Sequence, residues 1–182
     1  MSIVFCTFTK KCMRAKYTNG STAYCFDFDN TIAIDTAVTH LYRNGVYVRP
    51  ITAEEFNTYV KQPGDYLDFS EFDQPKDINA QKGPAWNAMK TLVDSNKPVF
   101  IVTARRDTIQ SSIHKFLLKN GISINIDRIY CVGDHVGTIP VAKWRVIENS
   151  IVPLYNDIVM YDDNYETIKF LSKKGVKAIH VQ

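Results

Sequence analysis

The sequence predicts an α/β fold, a three-layer αβα sandwich built on a mainly parallel central sheet. Two observations carry this. From residue 79 onward, short apolar runs alternate with stretches of helical periodicity, the pattern of a parallel sheet with helices on both faces. Three predicted strands also end in polar clusters: Asp27-Phe28-Asp29-Asn30-Thr31, Thr103-Ala104-Arg105-Arg106 and Asp162-Asp163-Asn164. Sheets of this kind place their chemistry beyond the carboxyl ends of the strands.

The elements follow in order. Residues 1–22 read as an N-terminal extension, in which Asn19-Gly20 signals a turn and makes a hairpin plausible ahead of the first strand. Tyr24-Cys25-Phe26 is a short apolar strand that ends at Asp27. Residues 32–78 read as a small, irregular insertion rich in aromatics and acids. Within it, Thr52-Ala53-Glu54-Glu55 forms a capping box that opens a short helix to about residue 60. A helix is expected over 84–94, and the continuous apolar run 98–102 suits a strand buried on both faces. Asp107 can cap a helix running to 119, with Gly121 just past its end. A weak strand over 128–131, a helix over 141–149 and a strand over 157–161 come next. Asn164 caps the helix that stops before Gly175, and 176–181 is the last strand.

The 182 residues suit one domain, with 79–182 forming the remainder of the core. Hydrophobic residues at 45% and charged residues at 23% match a soluble globular protein. No apolar run approaches the roughly 20 residues that span a bilayer. Residues 1–10 lack the basic start of a signal peptide. Cys6, Cys12, Cys25 and Cys131 match neither a zinc spacing nor a disulfide framework, so reduced thiols in a cytoplasmic protein are expected. A net charge of +3 permits a polyanionic partner without demanding one.

The polar clusters point to phosphoryl transfer. Four carboxylates on one sheet edge would repel, and a hard divalent cation is the natural remedy, with an oxygen-rich set selecting magnesium. The Thr103 hydroxyl, Arg105 and a lysine such as Lys143 can hold an anion beside it. Asp27 and Asp29 lie where the chain leaves its strand, so both carboxyls can reach one substrate. One can attack phosphorus while the other gives a proton to the leaving oxygen.

D-x-D-x-T after a strand, a later strand ending in Thr, a downstream Lys and a strand ending in Asp-Asp resemble the haloacid dehalogenase superfamily. The resemblance covers 23–182. It implies a Rossmann-like core with a small cap or none, and a phosphatase or phosphotransferase, since Asp29 is retained. Asp27 matches the nucleophile that forms an aspartyl-phosphate, and Asp29 the general acid and later base. Thr103 and Lys143 match the phosphate-binding hydroxyl and lysine, with Arg145, Lys115 and Lys119 as competing cations. Asp162 and Asp163 match the magnesium-holding pair, the shell being completed by Asp27 and the main-chain carbonyl of Asp29. Asn30 stands where glycine is common.

The substrate is less legible. Between Thr103 and Lys143 there is room only for core elements, and 32–78 is shorter than a full cap, so an open or lightly covered site is expected. Its aromatics, Tyr42, Tyr47, Phe56, Tyr59, Tyr66, Phe69 and Phe72, read either as a satellite core or as a stacking surface for bases. The layout is similar to the 3′-phosphatase domain of phage polynucleotide kinases, although no G-x-x-x-x-G-K-[ST] loop is present. Arg105 and Arg106 could grip a neighbouring phosphodiester, and Lys10, Lys11, Arg14 and Lys16 could touch nucleic acid. The expectation is a polynucleotide 3′-phosphatase or nucleotidase. The alternatives are a small-metabolite or phosphoprotein phosphatase and, from another class, a non-catalytic phosphate-binding module. His40, His114, His135 and His180 share no spacing and read as ordinary surface or core histidines, with His135 the exception to watch.

Overall fold

The computed structural model describes residues 21–35, 37–73 and 78–182. The Asn19-Gly20 turn, the basic residues Lys10, Lys11, Arg14 and Lys16, and Cys6 and Cys12 lie outside them. In chain order the strands are β1 (Thr22–Phe26), β2 (Ala33–Asp35), β3 (Thr39–Arg43), β4 (Val46–Ile51), β5 (Asp65–Asp68), β6 (Ala80–Lys82), β7 (Val99–Thr103), β8 (Ile129–Cys131), β9 (Asp157–Asp162) and β10 (Lys177–His180).

Five of them form one all-parallel sheet in the order β10-β9-β1-β7-β8. The chain steps outward from β1 through β7 to β8, then returns to the other side of β1 for β9 and β10. The order therefore reverses at β1, flanked by β7 and β9, and in such sheets a crevice opens at that point. The apolar runs alternate between two layers. Phe26, Val99, Ile101 and Ile129 join Trp86, Met89, Ile113 and Leu117 from the helices Trp86–Asp94 and Gln110–Lys119. Cys25, Phe100, Val102 and Met160 join Ala142 and Leu171 from the helices Ile139–Val146 and Tyr165–Ser172. Every residue of β7 is buried, as a strand covered on both faces requires. Full burial of each Ile or Leu in these layers contributes about 1.5–3 kcal/mol. Among the described residues no helix is long and apolar enough to cross a membrane.

Two local expectations need correction. The helix after β7 starts as a 3₁₀ turn, Asp107–Ile109, and no side-chain hydrogen bond from Asp107 caps it. The insertion is not irregular: β3, β4 and β5 form an antiparallel sheet in the order β4-β3-β5, and β2 pairs with β6. Asn44 and Gly45, with φ of 50° and 81°, join β3 to β4 in the backbone conformation a two-residue hairpin demands. Five of the six residues of β4 are exposed and Pro50 sits within it, so no apolar alternation announces this edge strand. The capping box forms as expected. Glu55 N–H donates to Thr52 Oγ1 at 3.2 Å, Thr52 N–H donates to Glu55 Oε2 at 3.0 Å, and the helix Ala53–Thr58 follows.

Candidate functional site

The three polar clusters converge where the strand order reverses. Asp27 immediately follows β1, and its main-chain N–H donates to the Tyr161 carbonyl of β9 at 2.9 Å. Asp162 ends β9, and Asp163 follows it. The chain then folds back after Asp27, with the Ile32 and Ala33 N–H groups both donating to the Phe28 carbonyl at 2.9 Å. Asn30 in this turn has φ of 53°, a left-handed conformation that asparagine tolerates nearly as glycine does. Its side-chain amide donates to Asp163 Oδ2 at 3.4 Å.

Lys143 joins the clusters. Its Nζ lies 2.7 Å from Asp162 Oδ2 and 2.9 Å from Asp27 Oδ1, and the lysine is only 2% exposed. Burial works against its charge, but the pull of Asp162 and Asp27 outweighs that and holds the ammonium above its usual range. The competing cations lie elsewhere. Arg145 is exposed and donates to the Val136 carbonyl at 2.7 Å, and Lys115 and Lys119 are exposed on another helix. Asp162 is fully buried, and its Oδ1 accepts the Asn164 N–H at 2.9 Å. Burial, opposed by Lys143 and reinforced by Asp162, Asp163 and Asp29, pushes the Asp27 carboxyl well above the usual carboxylate range.

Asp27, Asp162 and Asp163 each offer an oxygen, and these atoms lie within 4.8 Å of one another. With Asp29, four carboxylates face the cations of Lys143 and Arg105, an excess of two negative charges. The all-oxygen donor set and this excess fit a hard divalent cation.

Asp29 and Arg105 line the same cavity as this group, and Thr103 ends β7. The Asp29 carboxylate is not part of the acidic group. Arg105 donates to both of its oxygens, Nε to Oδ2 at 3.0 Å and NH2 to Oδ1 at 2.7 Å. Arg105 is 5% exposed, and its guanidinium lies 5.1 Å from the Phe28 ring centroid and 5.4 Å from the Phe72 ring centroid. Arg105 therefore orients Asp29, and it also lines the cavity. Arg106 lies 3.2 Å from Asp73 and 3.4 Å from Asp134, so it is also engaged. Thr103 is fully buried, and its hydroxyl accepts the Arg105 N–H at 3.3 Å. Ala104, and not Thr103, lines the cavity wall.

The cavity has a volume of about 560 Å³ and contains the carboxylates and Lys143 in its lining. The insertion supplies part of the wall through Phe56, Phe69 and Phe72. The tyrosines of β3, β4 and β5 pack instead on one another, Tyr42 against Tyr47 at 5.6 Å and Tyr66 at 6.1 Å. His135 is exposed and does not line the cavity. His180 is an exposed histidine whose Nε2 lies 2.8 Å from the main-chain oxygen of Asp163. Only the parallel pairing of β10 with β9, which sets His180 opposite Asp162, reveals that contact. Compared with protein-family models and with curated proteins, the chain finds no match.

Proposed function

We propose that this chain is a magnesium-dependent phosphatase of the haloacid dehalogenase type, hydrolysing a phosphomonoester of a nucleotide or a nucleic-acid 3′ end. The observation that carries the reading is Lys143. One buried ammonium bridges Asp27 and Asp162 at the ends of neighbouring strands, with Asp163 in the same oxygen cluster.

Asp27, Asp162 and Asp163 would hold the magnesium, with the Asp29 main-chain carbonyl as the further ligand the resemblance implies. When bound, the ion supplies charge neutralisation to the phosphoryl oxygens. In the first step an Asp27 oxygen bonds to phosphorus as the bond from phosphorus to the leaving oxygen breaks. A proton on the Asp29 carboxyl passes to that oxygen. In the second step water attacks the aspartyl-phosphate and gives a proton back to Asp29. The bond between phosphorus and Asp27 breaks, phosphate leaves, and the Asp27 carboxylate is restored. Lys143 orients Asp27 throughout and balances charge on the phosphoryl group.

A small-metabolite phosphatase is the second reading, favoured by the pairing of Arg105 and Arg106 with carboxylates. Phosphate release from a panel of esters, with magnesium and after chelation, tests the proposal. Activity should depend on magnesium and return on re-addition. Asp27→Asn should lower turnover by several orders of magnitude and eliminate an acid-stable, hydroxylamine-labile phosphoprotein. Retention of parent-level activity in that variant, or full activity after exhaustive chelation, would remove the covalent, metal-assisted mechanism.

A further inference from the structure

We infer that the insertion selects the substrate through Phe56 and Phe69, which form a seat for a planar base, and that the substrate is a nucleoside monophosphate. This rests on the phosphatase reading and narrows it.

The two rings come from different parts of the insertion. Phe56 lies in the helix Ala53–Thr58, and Phe69 immediately follows β5. They meet edge to face, with centroids 5.3 Å apart and planes at 89°. Both line the cavity that holds Asp27 and Lys143, and they stay 38% and 40% exposed. Phe72 also lines it, but the Arg105 guanidinium lies 5.4 Å from its ring centroid. An edge-to-face pair turns one ring's face and the other's edge toward a visitor, an arrangement that suits a flat π-system. A hexose can lay its C–H face on one ring, but its hydroxyls need hydrogen-bonding partners that two phenyl rings do not supply.

Charge sets the number of phosphates. Among the described residues, Arg105, Arg106 and Lys143 are the cations that line the cavity, and each is paired with carboxylates. Against these three stand six lining carboxylates. A divalent cation beside Asp27 and Lys143 provides for one phosphoryl group and leaves the wall net negative. A chain of phosphodiesters would meet repulsion there, whereas a neutral base linked to one phosphate fits the rings and the metal end together.

The test compares three substrates with the full-length protein in magnesium: a nucleoside monophosphate, ribose phosphate carrying the ester at the same hydroxyl, and a 3′-phosphorylated oligonucleotide. The nucleoside monophosphate should have the highest kcat/KM, about tenfold or more above ribose phosphate. Its rate should depend weakly on salt, because no row of phosphates is gripped. Phe56→Ala and Phe69→Ala should collapse the nucleotide-to-ribose-phosphate ratio, chiefly through KM, and Phe69→Trp should preserve it. Calorimetric binding of a free nucleoside gives a readout that needs no turnover, and it should weaken in both alanine variants. Ester hydrolysis with no dependence on the base, or a faster and salt-sensitive oligonucleotide reaction, overturns the inference and leaves the phosphatase standing. Nucleoside binding lost in the alanine variants, with no ester hydrolysed, supports the base seat and sinks the phosphatase reading. Absence of both nucleoside binding and hydrolysis overturns both.

Discussion

Arg105 and Asp29 meet in a two-point ion pair, Nε to Oδ2 at 3.0 Å and NH2 to Oδ1 at 2.7 Å, across 76 residues of sequence. The grip fixes the plane of the carboxyl that the proposed mechanism uses to move a proton. A guanidinium that donates to both oxygens leaves no room for a proton between them. The donating step therefore requires Arg105 to release one oxygen.

Asp29→Asn should thus slow an alkyl phosphate, whose leaving oxygen needs a proton, by about 10²–10⁴-fold. A nitrophenyl phosphate should suffer much less. Arg105→Lys keeps the charge but loses the fork, and should cost less on both substrates while widening the gap between them. Steady-state kinetics on the two esters decides it, and equal losses for Asp29→Asn would remove Asp29 from the acid role.

Lys143 gives a stability prediction with metal as the control. Lys143→Gln leaves Asp27 and Asp162 facing each other in a buried site without their shared cation. The metal-free protein should lose about 3–5 kcal/mol, the range for breaking a buried ion pair from one side. Magnesium at 100 times its dissociation constant should return about 2.7 kcal/mol of stability, but not turnover. Urea denaturation with and without magnesium reads the first effect and phosphate release the second. An unchanged metal-free midpoint would mean the ammonium does not hold the carboxylates together.

Asp65 anchors the insertion and makes it sensitive to acid. Its carboxylate accepts from Arg43 Nε at 2.7 Å, Tyr59 Oη at 2.6 Å and Gln62 N–H at 2.8 Å, and these bonds hold it below the usual carboxylate range. With the folded value depressed, the unfolded chain binds more protons in the window between the two values. The contribution is present above the ordinary carboxylate range and fades as pH falls through the depressed value. Hydrogen exchange of β3 and β5 should therefore accelerate on acidification, and Asp65→Asn should exchange quickly at neutral pH with little further change. A variant with the parent's acid response would place the sensitivity elsewhere.

Gly133 marks a close approach beside the site. A Cβ there would meet the Ala104 carbonyl oxygen at 2.5 Å, and the Gly133 N–H donates to the Arg105 carbonyl at 2.9 Å. Gly133→Ala should cost about 1–3 kcal/mol, as overpacking does. It should also shift Arg105, so activity should fall beyond what lost stability explains. Chemical denaturation with kinetics at saturating substrate measures both.

Much of the core was legible because its signals are local. The apolar run that became β7, the Asn164 cap, accepting the Thr167 N–H at 3.0 Å, and the Thr52–Glu55 capping box each depend on neighbours a few residues apart. The insertion was not legible for the opposite reason. Its strands pair over residues 39–68, and β4 is an edge strand whose Val46, Tyr47 and Val48 are exposed, so its apolar residues do not mark a buried face.

The sequence by itself determined which chain segments become core strands and that carboxylates stand at their ends, since periodicity and punctuation are properties of short windows. Tertiary structure decided which partners those carboxylates meet. Lys143 and Arg145 are two residues apart on one helix, yet Lys143 is buried against Asp27 and Asp162 while Arg145 is exposed. Arg105 turns to Asp29, Thr103 stays buried, and Phe56 and Phe69 meet over a shared cavity. Each outcome depends on the packing of segments far apart in the chain, where distance and burial set the energy of a contact and spacing along the sequence does not.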